Sequence, residues 1–219
     1  MKMIHIILYL LALLSFTSHA TSSSFKDFCV ANLLLPITPS GYPCKPQSLV
    51  TENDFVFSKL VPGVPIIPFN AGVTSASVTN LPGLNGLGIS ASRVDIGING
   101  TVPMHIHPDA TELLILVEGQ VTAGFITPTK LIVKTLNPGD VMVFPKGLLH
   151  FQVNSGVGKA YAFSAYSSSN PTLHILDLLL FGNDLPTPTV EKTTLLDAEQ
   201  INKLKAEARS GGIGGSGLA

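Results

Sequence analysis

Between about residues 51 and 182 the apolar positions come in short bursts, not in helical stripes. Val94, Ile96 and Ile98 alternate with Arg93, Asp95 and Gly97, the period of two that turns one face of a strand to a core and the other to water. LLILV (113–117), LIV (131–133), VMVF (141–144) and AYAFSAY (160–166) are further short runs rich in β-branched and aromatic residues. Pro103, Pro108, Pro128, Pro138-Gly139 and Pro145-Lys146-Gly147 punctuate them. Many short strands with no helical period between them predict a mainly β domain over 51–182, a sandwich or closed barrel.

The flanks read differently. At the C-terminal side, 183–209, Asp197 and Gln200 have the spacing of a capping box, and Ile201, Leu204 and Ala208 then share one helical face, with Lys203, Lys205 and Glu207 elsewhere. The spacing predicts a helix over 198–209, too short to stand alone, whose apolar stripe needs the barrel or a neighbouring subunit. The tail SGGIGGSGLA (210–219) is read as flexible; its formal G-x-G-x-x-G (Gly212, Gly214, Gly217) has no strand before it and no helix after it, which excludes a dinucleotide reading. At the other end, Lys2, an apolar run from Ile4 to Phe16 and the small residues Ser18 and Ala20 read as a signal peptide over 1–20. The run is short for a bilayer span, so no membrane anchor is expected and the mature, exported chain starts near Thr21. In an oxidising compartment Cys29 and Cys44 are expected to form one disulfide within an N-terminal extension, 21–50. Closing a loop of about 15 residues contributes roughly 3 kcal/mol in the chain-entropy picture.

Composition narrows the function classes. Apolar residues make up 45% of the chain, enough for a core, and charged residues only 12%, which argues against disorder and for an outer surface partly covered by other subunits. A formal net charge of −1 excludes a nucleic-acid binder that works by neutralising phosphates.

The chemistry sits in two segments, His105-Ile106-His107-Pro108-Asp109-Ala110-Thr111-Glu112 and Pro145-Lys146-Gly147-Leu148-Leu149-His150. Residues i and i+2 of a strand share a face, so His105 and His107 can aim at one point. Pro108 and Asp109 break the strand and reset its phase, which allows Glu112 to join them. His150, after a Pro-x-Gly turn, is expected to bring a third imidazole from the opposite wall. Three imidazoles and one carboxylate form a nitrogen–oxygen site without thiolate; manganese(II), iron(II) and zinc all suit it, and the ligands alone do not choose among them. His174 lies outside both segments and is read as structural.

These residues also carry a resemblance. The first cupin motif, G-x5-H-x-H-x3–4-E-x6-G, is met by His105, His107, Glu112 and Gly119, with Asn99 in place of the opening glycine. The second, G-x5-P-x-G-x2-H-x3-N, is met by Gly139, Pro145, Gly147, His150 and Asn154. With the HxHPxATE wording, the early cysteine pair and the LFG at 180–182, the chain resembles the plant germin-like proteins of the cupin superfamily. That resemblance implies a jelly-roll β-barrel with one manganese per subunit held by His105, His107, Glu112 and His150. It further implies an apoplastic glycoprotein, a hexamer built as a trimer of dimers, and C-terminal helices that pack across subunits.

True germins oxidise oxalate, and two asparagines upstream of the first motif are thought to hold it. Alignment through the L-G and R-V-D places the first on Asn85 and the second on Ser92, which lacks the amide; weak or absent oxalate oxidation is therefore expected. Asn85 stands as a substrate-binding candidate. Glu118-Gly119-Gln120 does not match the adhesion tripeptide of some relatives. Asn99-Gly100-Thr101 is the one N-glycosylation sequon, with Asn99 the acceptor. Two functions follow from the resemblance: an extracellular manganese superoxide dismutase, or a non-catalytic, wall-associated binding, defence or storage protein whose metal is structural and whose ligand is a small acid such as auxin.

Overall fold

A computed structural model describes residues 28–209. The signal peptide read over 1–20 and the tail read over 210–219 lie outside the described residues. Two five-stranded antiparallel sheets face one another, as the jelly-roll expectation requires. The first has the order β1 (Ala71–Ala76), β2 (Ser90–Ile96), β9 (Ala160–Tyr166), β4 (Glu112–Glu118), β7 (Val141–Phe144). The second has the order β10 (His174–Ile175), β3 (Thr101–Ile106), β8 (His150–Asn154), β5 (Val121–Ile126), β6 (Leu131–Leu136).

The alternation read at 93–98 belongs to β2, where every second residue is buried. The strand ends at Ile96, so Ile98 falls in the following turn and is exposed. In β4 the burial pattern also alternates: Glu112, Leu114 and Leu116 point inward while Leu113, Ile115 and Val117 point out. The apolar run LLILV is thus one face of core and one of surface.

Cross-strand register sorts the interior of the first sheet into rows. Ser90, Tyr166, Glu112 and Phe144 form one; Ser92, Ser164, Leu114 and Met142 the next. Val94, Ala162 and Leu116, and then Ile96 with Ala160, follow. All are buried. Polar side chains are confined to the first two rows, beside Phe144, Leu114 and Met142, and the remaining rows are apolar, so one end of the barrel is a site and the other a core that continues through Val121, Ala123 and Leu136 of the second sheet.

Three helices follow the strands: α1 (Leu176–Phe181), α2 (Thr187–Thr193) and α3 (Ala198–Arg209). The first was not legible as a helix and falls inside the segment read as barrel. The capping box forms reciprocally, the Gln200 backbone N–H donating to Asp197 Oδ1 at 2.8 Å and the Asp197 N–H to Gln200 Oε1 at 3.1 Å. The stripe of Ile201 and Ala208 closes on Phe181 and Val190 of α1 and α2, with Leu178, Leu196 and Leu204 around them, so its partner surface is in its own chain. Lys205, placed elsewhere by the helical wheel, is buried on this side instead; its aliphatic stem packs and its ammonium donates to the Leu185 carbonyl. At the N-terminal side the Cys29–Cys44 disulfide is formed. No helix among the described residues is long and apolar enough to cross a membrane.

Candidate metal centre

His105 lies in β3 and His107 one residue past its end, on the same face, as the i, i+2 spacing requires. The turn at 107–111 then carries the chain across to the first sheet, where Glu112 opens β4 pointing inward. His150 opens β8, and its Cα partner is His105. The third imidazole therefore comes from the same sheet as the first, not from the opposite wall; it is Glu112 that faces the histidines from across the barrel. One ligand atom from each of the four side chains lies within 4.8 Å of the others, and all four residues are buried. Gly147, at φ 74°, turns the chain ahead of β8 and donates its N–H to the His107 carbonyl at 3.0 Å, joining the two histidine segments.

Each imidazole has its Nδ1 against a main-chain carbonyl: His105 on Pro103 at 2.7 Å, His107 on Thr172 at 2.7 Å, His150 on Leu148 at 2.8 Å. A carbonyl only accepts, so each Nδ1 carries the proton, and in a neutral ring Nε2 is left as a lone pair. Nε2 of His107 and of His150 then stand 3.3 and 3.2 Å from Glu112 Oε2. A carboxylate oxygen among imidazole lone pairs is a set of acceptors without a donor, and a cation or extra protons must reconcile it. Two ligands at right angles about 2.1 Å from a shared cation are about 3.0 Å apart, close to these contacts. Nδ1–H bonded to carbonyl oxygen is also the arrangement that orients histidines on a metal. The residues fit a divalent cation.

The electrostatics agree. Burial, helped by the neighbouring His150, pushes the His105 imidazole down to about 3, so it stays neutral. Burial alone raises the Glu112 carboxyl, but any proton or cation that the His107 and His150 Nε2 atoms hold against Oε2 favours the carboxylate, and this outweighs burial and holds the group below the ordinary carboxylate range. Glu112 Oε1 accepts the Ser164 hydroxyl at 2.6 Å, a short bond between two buried groups that leaves Oε2 to the histidines. Phe144 stacks on His150, ring centres 4.6 Å apart.

A cavity of about 640 Å³ opens onto this group and is lined by His105, His107 and Glu112 but not by His150. Val73, Val94, Val102 and Leu173 give it apolar walls, and Gln152 and Tyr166 add polar ones. Burial, then the Glu112 charge, raises the Tyr166 hydroxyl, which stays protonated and pairs with Ser92 Oγ at 2.8 Å.

Asn85 is not on this wall. Its Oδ1 accepts the Tyr42 N–H at 3.2 Å, and its Nδ2 donates to the Tyr42 carbonyl at 2.8 Å and toward Cys29 Sγ at 3.3 Å. The amide stitches the N-terminal extension to the barrel beside the disulfide, and Asn85 is not among the residues that line the cavity. Ser92 is buried beneath Tyr166. Asn99 is exposed in the β2–β3 turn with φ 58°, a left-handed conformation that asparagine tolerates better than most residues, which explains how it replaces a motif glycine. Ser164, Gln152 and Tyr166 escaped the sequence reading, although alternation in AYAFSAY and HFQVN places them on inward faces.

Residues 60–202 match the cupin family. An auxin-binding protein of Prunus persica is 50% identical over 205 residues, 93% of this chain and 97% of that one. Germin-like protein subfamily 3 member 1 of Arabidopsis thaliana is 49% identical over 212 residues, 96% and 98% of the two chains. Among solved structures, a recombinant oxalate oxidase in complex with glycolate superposes with a TM-score of 0.80 at 35% identity, over 85% of this chain and 97% of the other. With two antiparallel sheets, both histidine motifs and the convergent His105, His107, Glu112 and His150, the chain belongs to the plant germin-like proteins of the cupin family.

Proposed function

We propose that this protein is an extracellular, manganese-binding germin-like cupin that acts as a superoxide dismutase-type redox protein, with weak or no oxalate oxidation. The observation that carries the reading is the convergence of three imidazoles and one carboxylate on a point whose open side faces a cavity. Bound there, manganese would supply a centre that cycles between two oxidation states. His105, His107, His150 and Glu112 would hold it, three main-chain carbonyls and Ser164 would keep the ligands aimed, and the apolar walls would limit bulk water. Two observations argue against oxalate: the Asn85 amide is engaged by Tyr42, and the Ser92 hydroxyl pairs with Tyr166. The test is superoxide dismutation by protein of measured metal content beside a His107→Ala variant. Activity is expected to track bound manganese and vanish in the variant; activity that survives loss of metal overturns the reading. Hydrogen peroxide release from oxalate at the rate of a true germin overturns the second clause.

A second reading, a binding protein for a small acid, is favoured by the cavity itself. About 640 Å³ with valine and leucine walls is more room than a diatomic anion needs and is in the range of organic-ligand pockets. The name of the Prunus persica relative points the same way. Ligand-induced thermal shift with small aromatic acids tests it.

Export, assembly and glycosylation complete the proposal. The disulfide suits an oxidising compartment such as the apoplast. Leu113, Ile115, Val141 and Val143 stand exposed on paired β4 and β7, an apolar face that a homo-oligomer, a hexamer by resemblance, would cover. Light scattering on the purified protein checks this, and a mass shift on glycosidase treatment checks a glycan at Asn99.

A further inference from the structure

The cavity that opens onto the metal group carries almost no charge on its wall. Glu112, itself a ligand, is the one carboxylate among the lining residues, and Lys59 is the one Lys or Arg. Lys59 is exposed, as are the lining residues Ser75, Thr79, Asn80 and Asn170, so these side chains mark the rim of the opening. The rim is therefore neutral and polar except for a single ammonium. Lys59 sits in a stretch without helix or strand that is fixed on both sides. Before it, Asp54 is held by Lys45 Nζ at 2.7 Å and by the Thr51 N–H at 2.9 Å. After it, the Gly63 N–H donates to Asp95 Oδ2 at 3.1 Å, and Asp95 is paired with Arg93. Lys45 and Arg93 thus spend their charges on the carboxylates that anchor the stretch, whereas Lys59 makes no ion pair among the described residues.

We infer that Lys59 guides small anions into the cavity and raises the rate at which they reach the centre. An unpaired cation at the mouth of a cleft with apolar walls concentrates the field along the cleft and enriches anions there. Val73, Val94, Val102 and Leu173 are such walls. A sphere of the cavity's volume is about 11 Å across, close to the Debye length of about 8–10 Å, so a charge at the rim is felt at the metal group in dilute salt and screened in concentrated salt. The formal net charge of −1 supplies no strong background field to compete with it. Lys59 acts on the approach and leaves the four ligands to hold the metal. This inference rests on the reading, shared by both functions proposed above, that the centre receives an anion.

The experiment measures two quantities on the manganese-loaded full chain at low and high salt: affinity for azide, by calorimetry, and the bimolecular rate with superoxide, by pulse radiolysis. Both are expected to fall as salt rises in the wild-type protein. Lys59→Gln is expected to keep its manganese, to lose about threefold in both quantities at low salt, and to lose most of the salt dependence. Lys59→Arg is expected to keep the wild-type values, and Lys59→Glu to invert the slope with salt. A glutamine variant that matches wild type, or wild-type values that do not move with salt, overturns the inference. Azide binding that depends on salt and on Lys59 without any reaction with superoxide leaves the inference standing and removes the dismutase reading; binding of neither anion removes both.

Discussion

The two sheets hold their ligands by different means. The second sheet and its connecting loops present three imidazoles, each aimed by a main-chain carbonyl: Pro103, Leu148 and Thr172. The first sheet presents one carboxylate, Glu112, aimed by the side chain of Ser164. A carbonyl belongs to every residue, so substitution at Leu148 does not remove the group that orients His150. A hydroxyl is removed by one change of side chain. The imidazole half of the centre is thus set by the fold, and the carboxylate half is open to adjustment by sequence.

The largest effect tests whether the four groups act as one centre at all. His150→Ala is expected to bring bound manganese to background by elemental analysis of dialysed protein, while wild type retains it; stoichiometric metal in the variant would mean that the sheets do not share a cation. Acid comes next, on metal-free protein. His105 is held near 3 when folded against an ordinary 6.5, so below 6.5 the unfolded chain takes up a proton that the folded one refuses. Stability is fully present above pH 6.5 and is lost progressively toward pH 3, and the lowered Glu112 adds to the loss below its ordinary 4.5. The melting temperature at pH 4.5 should fall below that at pH 7 by at least about 2–4 °C, the shift that one kcal/mol gives in a chain of this size. A flat profile would show that His105 is not buried in its neutral form.

Ser164→Ala then separates the sheets. Loss of the bond to Glu112 is expected to weaken manganese binding about tenfold, measured by competition with a chelator, and to change the spectrum of the bound ion. Leu148→Ala, beside the carbonyl that aims His150, should leave affinity within about twofold. Equal losses in the two variants would erase the distinction between main-chain and side-chain support.

The ligands themselves were legible because two short motifs contain them and the period of a strand aims His105 and His107 together. Which wall each came from was not. The pairing of β3 with β8 joins residues 45 positions apart, and the placement of His150 beside His105 depends on that long-range choice. Ser164 shows the same limit: alternation gives its face, but its bond to Glu112 exists only because β9 pairs with β4. Asn85 shows it again: its amide is engaged by Tyr42, a residue 43 positions away whose approach no local pattern foretells. Lys205, off the Ile201–Leu204–Ala208 face by the helical wheel, is buried all the same because its long stem packs and its ammonium reaches a carbonyl.

Asp109 ties down the segment that follows β9, accepting the Thr172 N–H at 2.9 Å and the Ser168 hydroxyl at 2.8 Å. That same segment offers the Thr172 carbonyl to His107 and sets Asn170, Pro171 and Leu173 around the cavity. One wall of the cavity and the aim of one imidazole are therefore cut from one piece of chain, so a substitution that shifts this segment is expected to reach His107 as well.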